Sequence, residues 1–265
     1  MTTDFSGLKQ APFNITCNPN LFFESVSHKE AYAALLYGIQ CKKGIIMITG
    51  EVGTGKTTLC KVLLERLDSK TKTSLILNPC FNESELLRAI IEDFGIADVK
   101  RSRLQMINQL NSFLVESSAG SGNAVLIIDE AQNLSDRQLE QIRLLSNLET
   151  YQHKLLQIVL VGQPELVDKL KKPNLRQIRQ RIFVKYNLSP LSRSEIEEYV
   201  NIRLQQTENK NIMFYPESYD IIYNFSQGIP RLINMICDRA LLFGFVKETD
   251  ILDKAVLESC LKELI

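Results

Sequence analysis

The 265-residue sequence has no Cys-x-x-Cys pair and only two histidines, and its six cysteines lie scattered at 17, 41, 60, 80, 237 and 260. That spacing suggests neither a zinc site nor a disulfide framework. Charge of one sign is not in surplus either, since 31 Lys and Arg balance 31 Asp and Glu. No global field therefore draws the chain to nucleic acid or to a membrane surface, although a local patch remains open. No apolar run approaches the ~20 residues a membrane span needs. Met1-Thr2-Thr3-Asp4 lacks the basic and apolar regions of a secretory signal. Internal repeats and low-complexity tracts are missing too. The expectation is a cytoplasmic protein with no integral membrane segment, built as one large domain or two modest ones.

Against that background one stretch is rich in information. Residues 45–48 form a short apolar run bounded by glycines, the pattern of a buried strand. Gly50-Glu51-Val52-Gly53-Thr54-Gly55-Lys56-Thr57 then satisfies G-x-x-x-x-G-K-[ST] at every position, and Thr58 onward carries apolar residues at helical spacing. Strand, glycine loop and helix in that order make a phosphate cradle. Glycines let successive N–H groups turn inward, and the helix start adds its positive dipole end. Lys56 is expected to reach the β- and γ-phosphates of ATP, and the Thr57 hydroxyl to bind Mg²⁺.

A second apolar run, 124–128, ends in Asp129-Glu130-Ala131-Gln132. A carboxylate at the carboxyl end of a doubly covered parallel strand faces the crevice where nucleotides bind. Asp129 is expected to orient Mg²⁺ or its water, and Glu130 to activate the attacking water. A third run, 155–161, leads to Gln163, whose amide can hold that water or touch the γ-phosphate; the plainer reading is a turn amide bonding backbone.

Other segments leave alternatives open. Phe13 sits in an aromatic-rich stretch ahead of the loop, where it can line an adenine pocket or pin the N-terminus to the core. Ser27 and Glu30 read as a capping box for a helix from 28 to about 41, and Ser84 as the start of another. Lys100-Arg101-Ser102-Arg103 precedes a helix over 104–116 and reads as a solvated face or a nucleic-acid contact. Arg176, Arg179 and Arg181 precede a short strand, and read either as a surface charge run or as the source of a γ-phosphate contact supplied to a neighbouring subunit. From 188 onward the pattern is helices only, with Arg231 in the first turn of one of them.

Together these pieces resemble an AAA+ ATPase, and the likeness covers essentially the whole chain. Gly50–Thr57 and Ile127-Ile128-Asp129-Glu130 match the two Walker motifs, Gln163 the sensor 1 position, Arg181 the arginine finger and Arg231 sensor 2. Within that superfamily, several stretches are similar to the general-secretion-pathway protein A family, of the ExeA and shorter MshM pilus-biogenesis types. They include Phe5-x-Gly7-Leu8 with Ala11-Pro12-Phe13, Asp129 to Leu134, Val161 to Leu166 and Gly228 to Asn234. The resemblance implies an α/β P-loop NTPase with a parallel sheet sandwiched by helices and a small all-α lid. The expected parts are an N-terminal segment (1–26), a nucleotide-binding core (27–187) and the lid (188–265). It further implies ATP and Mg²⁺ as cofactors, a homo-oligomer that shares its arginine, and envelope or pilus assembly proteins as partners. One of those partners would hold the chain at the inner membrane. The larger secretion members continue into a transmembrane and a peptidoglycan-binding region, so wall anchoring is not expected of residues ending at Ile265. The second reading is an ATP-dependent DNA regulator of the transposition-target (TniB-like) kind.

Overall fold

The computed structural model describes residues 12–14, 21–119, 122–205 and 212–264. Phe5, Gly7, Leu8 and Ala11 of the family-like pattern, and Cys17, lie outside them. Contacts divide the chain into two units. One unit is His28–Gly50 with Leu59–Leu188; the other joins Met1–Ser27, Glu51–Thr58 and Ser189–Ile265. The phosphate loop thus groups with the C-terminal residues.

The first unit is built on a parallel five-stranded sheet in the order β2-β3-β4-β1-β5. Its strands are β1 (Ile45–Gly50), β2 (Thr71–Ile76), β3 (Asn123–Ile128), β4 (Gln157–Gly162) and β5 (Ile182–Leu188). The continuous apolar runs became the three central strands, where β1 and β4 are buried at every residue because helices cover both faces. The two edge strands are less buried, and alternate residues along them differ in exposure. Packed on the sheet are α3 (Glu83–Asp93), α4 (Arg103–Ala119), α5 (Asp136–Leu145), α6 (Glu165–Leu170) and α7 (Arg176–Arg181). Leu86, Leu87, Ile90 and Ile91 of α3 and Leu139 and Ile142 of α5 join Leu126, Ile128 and Ile158 in one core. Because β1, β3 and β4 run parallel in register, Gly50, Asp129 and Gln163 all leave the sheet at its carboxyl edge.

Two helices cross from one unit to the other, α1 (Val26–Gln40) and α2 (Lys56–Arg66). The C-terminal residues form α8 (Arg193–Gln205), α9 (Pro216–Ser226), α10 (Pro230–Val246) and α11 (Lys254–Leu264). Their core gathers Ile196, Tyr199, Ile222, Ile233, Ile236 and Leu257.

At the start of α1 a tertiary partner replaces the sequence-local one. The capping box of Ser27 and Glu30 does not form. Helix α1 begins at Val26, whose N–H donates to the Glu195 carboxylate at 2.9 Å, while Ser27 Oγ accepts from the Ser189 N–H and Glu30 from the Tyr186 hydroxyl. Helix α3 is capped by Asn82, not Ser84: Asn82 accepts from the Ser84 and Glu85 amides, and Glu85 reaches back to the Asn82 N–H. The helices-only expectation beyond 188 is also corrected. Met213–Phe214 (β6) and Ile251–Leu252 (β7) pair in parallel, too short a ladder to leave a periodic signal.

Candidate functional site

The phosphate loop is organised by backbone. The Glu51 carbonyl accepts the Thr54 N–H at 3.3 Å, the Thr54 hydroxyl at 2.8 Å and the Lys56 ammonium at 2.9 Å. Lys56 is 7% exposed, a burial that an ammonium tolerates only with such acceptors. Helix α2 begins at Lys56 with no acidic residue in its first turn, so no carboxylate of that turn neutralises its positive end. Gly53 has φ +84°, and its carbonyl accepts the Arg231 N–H at 3.2 Å. A methyl group there would meet Arg231 Cβ at 2.6 Å and Ile229 Cγ2 at 3.1 Å. Only glycine serves at this position. Arg231, an early residue of α10, is therefore joined to the loop by its main chain, while its side chain is exposed and has no partner among the described residues.

The carboxyl edge of the sheet is organised by side chains. The Asp129 N–H continues the ladder to the Ile76 carbonyl at 2.8 Å, and its Oδ1 accepts the Glu130 N–H at 2.9 Å. Asp129 is buried and Glu130 half-buried. Glu130 lies in the left-handed region (φ 51°, ψ 38°), a strain of about 1–2 kcal/mol for an L residue that surrounding contacts must offset. Its Oε2 accepts two side-chain amides, from Gln163 Nε2 at 3.1 Å and from Gln132 Nε2. Gln132 Oε1 in turn accepts the Gln163 N–H at 3.0 Å. The structure thus brings Asp129, Glu130 and Gln163 together. Gln163 differs from the turn-amide reading, because its side chain serves a carboxylate.

Two residues of this cluster escape sequence reasoning. Gln132 stands in the Asp-Glu-Ala-Gln stretch, but nothing local shows that its amide spans two strand exits. Lys169 lies in a run of lysines that reads as surface charge. Its ammonium binds the Gln132 carbonyl at 2.8 Å and the Leu134 carbonyl, and burial pushes its pKa below the usual lysine value.

Elsewhere the sequence candidates separate. Phe13 is 1% exposed and packs edge-on against Phe214 in the core of the second unit. This is the packing role, and it leaves no ring face open to a base. Arg181 donates to Asn147, and Arg179 to the Lys171 carbonyl at 3.4 Å. Arg176 is exposed and has no partner among the described residues.

The AAA domain family matches residues 40–170. Over 248 residues the chain is 45% identical to general secretion pathway protein A of Aeromonas hydrophila, a match that covers 93% of this chain. This chain belongs to the AAA+ proteins. It spans 45% of the length of that relative. Among solved structures, the ORC2 protein of Aeropyrum pernix in its ADPNP-ADP complexes aligns with a TM-score of 0.70 at 16% identity, over 97% of this chain and 72% of that one. The RuvB Holliday junction branch migration motor of Thermotoga maritima aligns at 0.60 and 18% identity, over 92% and 73%. At such identities the likeness shows the fold alone. Among the described residues no helix is long and apolar enough to cross a membrane.

Proposed function

We propose that the chain binds ATP with Mg²⁺ and hydrolyses it, acting as a motor or switch in the assembly of a secretion or pilus-type machine of the cell envelope. The observation that carries the reading is Glu130, a carboxylate set beside Asp129 at the edge where β1 runs into an unbroken phosphate loop. Gly50 to Thr58 supply the backbone amides and the helix start that hold the polyphosphate, and Lys56 neutralises its β- and γ-oxygens. Thr57 and Asp129 each offer a hard oxygen donor of the kind Mg²⁺ takes. The ion supplies further neutralisation of the phosphate charge. Glu130 accepts a proton from water as the water oxygen bonds to the γ-phosphorus. The bond from that phosphorus to the β–γ bridging oxygen breaks, and ADP leaves with the electron pair. Gln163 steadies Glu130, and Arg231, joined to the loop at Gly53, meets the γ-phosphate. The 45% identity to general secretion pathway protein A supports the envelope role.

Phosphate release from MgATP, measured beside nucleotide binding, tests the reading. Lys56→Ala is expected to lose nucleotide, whereas Glu130→Gln keeps ATP and stops cleavage. Hydrolysis by Glu130→Gln at the parent rate would remove Glu130 as the base. The reading also includes a homo-oligomer in which an arginine of α7 completes a neighbour's site, so the rate per chain should climb with protein concentration. Arg181 must then leave Asn147 to serve, whereas Arg176 is already free of partners among the described residues.

One observation favours a second reading. Arg101 and Arg103, at the start of α4, are exposed and without partners among the described residues, and the first turn of that helix carries no acid. An ATP-controlled DNA binder would use them. Duplex binding that falls steeply with salt, and is lost in Arg101→Ala with Arg103→Ala, would establish it.

A further inference from the structure

We propose that Gln132 and Lys169 are positioning residues for Glu130, acting as a brace that fixes which oxygen of its carboxylate meets the attacking water. The proposal rests on the hydrolysis reading above. Two amides converge on one oxygen: Gln132 Nε2 and Gln163 Nε2 both donate to Glu130 Oε2. Oε1 accepts no hydrogen bond from the described residues. A carboxylate held this way cannot turn about its terminal torsion, so Oε1 is the oxygen left to take a proton. Gln132 also ties the two strand exits together, because its Oε1 accepts the Gln163 N–H at 3.0 Å. The approach is close enough that a methyl group on Gly162 would meet that Oε1 at 2.8 Å.

Gln132 keeps this pose because the short turn that carries it is pinned from outside. The turn Ala131–Asn133 is closed by the Asn133 N–H to the Glu130 carbonyl at 2.9 Å. Its outward carbonyls, at Gln132 and Leu134, are gathered by the half-buried ammonium of Lys169 on α6. Lys169 therefore acts on Glu130 through Gln132, without touching the reacting atoms.

The test compares kcat and KM for MgATP in Gln132→Leu, Lys169→Met and Lys169→Arg, each made in the parent and again with Glu130→Gln. A misplaced base costs on the order of 10²-fold per ångström. The expected result is a kcat lowered roughly 10–100-fold in Gln132→Leu and Lys169→Met, with KM and nucleotide affinity within about twofold of the parent. Lys169→Arg, whose fork can still reach two carbonyls, should recover most of the rate. In the Glu130→Gln background neither substitution should lower the rate further. If Glu130→Gln stops cleavage while Gln132→Leu and Lys169→Met turn over like the parent, the brace is wrong and the hydrolysis reading stands. If Glu130→Gln itself cleaves normally, both fall. Should Gln132→Leu fail to fold, the Lys169→Met and Lys169→Arg pair decides alone: equal losses in the two would overturn the brace.

Discussion

The phosphate loop and the carboxyl edge of the sheet are both polar, yet they are assembled from different parts of the residue. In the loop, three donors meet at the main-chain carbonyl of Glu51, and Gly53 meets Arg231 through its own carbonyl. At the edge, every contact that orients Glu130 Oε2 is a side-chain amide. A polyphosphate carries charge on many oxygens and is met by many N–H groups, so backbone suffices. Water activation needs one lone pair at one place, so the edge must use side chains whose rotamers are fixed by their neighbours. Substitutions should therefore sort by kind: conformational change should damage the loop, and change of functional group should damage the edge.

The largest expected effect lies at the edge. Glu130→Gln changes one atom and should lower turnover by about 10²–10⁴-fold, the range for loss of a general base, while ATP affinity holds. A comparable loss of affinity would break the contrast by making Glu130 part of binding. Gly53→Ala comes next. It adds one methyl group, but at φ +84° and against Arg231 Cβ, so the loop must move. Strain of about 1–2 kcal/mol corresponds to roughly a 5- to 30-fold loss of nucleotide affinity, measured by titration with a fluorescent ATP analogue. Arg176→Ala and Arg181→Ala sharpen the picture for α7. A rate per chain that loses its rise with concentration in one variant only would name the arginine that serves a neighbour, and Arg181→Ala alone should also lower the melting temperature, because it gives up the bond to Asn147.

The same division governs what the sequence made legible. The phosphate loop can be read residue by residue, because a backbone motif writes its glycines and its lysine into eight consecutive positions. The buried strands are equally plain, since burial on both faces demands unbroken apolar runs. Gln132 and Lys169 could not be found that way: 37 positions separate the ammonium from the carbonyl it binds, and only the packing of α6 brings them together. The start of α1 was hidden for the same reason, because Glu195 supplies its acceptor from far along the chain. The cap of α3 was legible but overlooked: Asn82 and Glu85 form a local capping box around Ser84, which reads only as the start of a helix. Phe13 illustrates the limit of composition, because an aromatic near a loop in sequence proves to be core at 1% exposure.

The smallest expected effect is the sharpest check on the contrast. Glu51 lies inside the phosphate loop, and its carbonyl anchors Thr54 and Lys56. Its carboxylate, however, is exposed and has no partner among the described residues. If the loop works by backbone, Glu51→Ala should leave nucleotide affinity and kcat within about twofold, since the carbonyl is retained and an exposed side-chain charge contributes little. The change removes four heavy atoms, far more than the single-atom change at Glu130. A tenfold loss in Glu51→Ala would mean that the loop too depends on a side chain at this position.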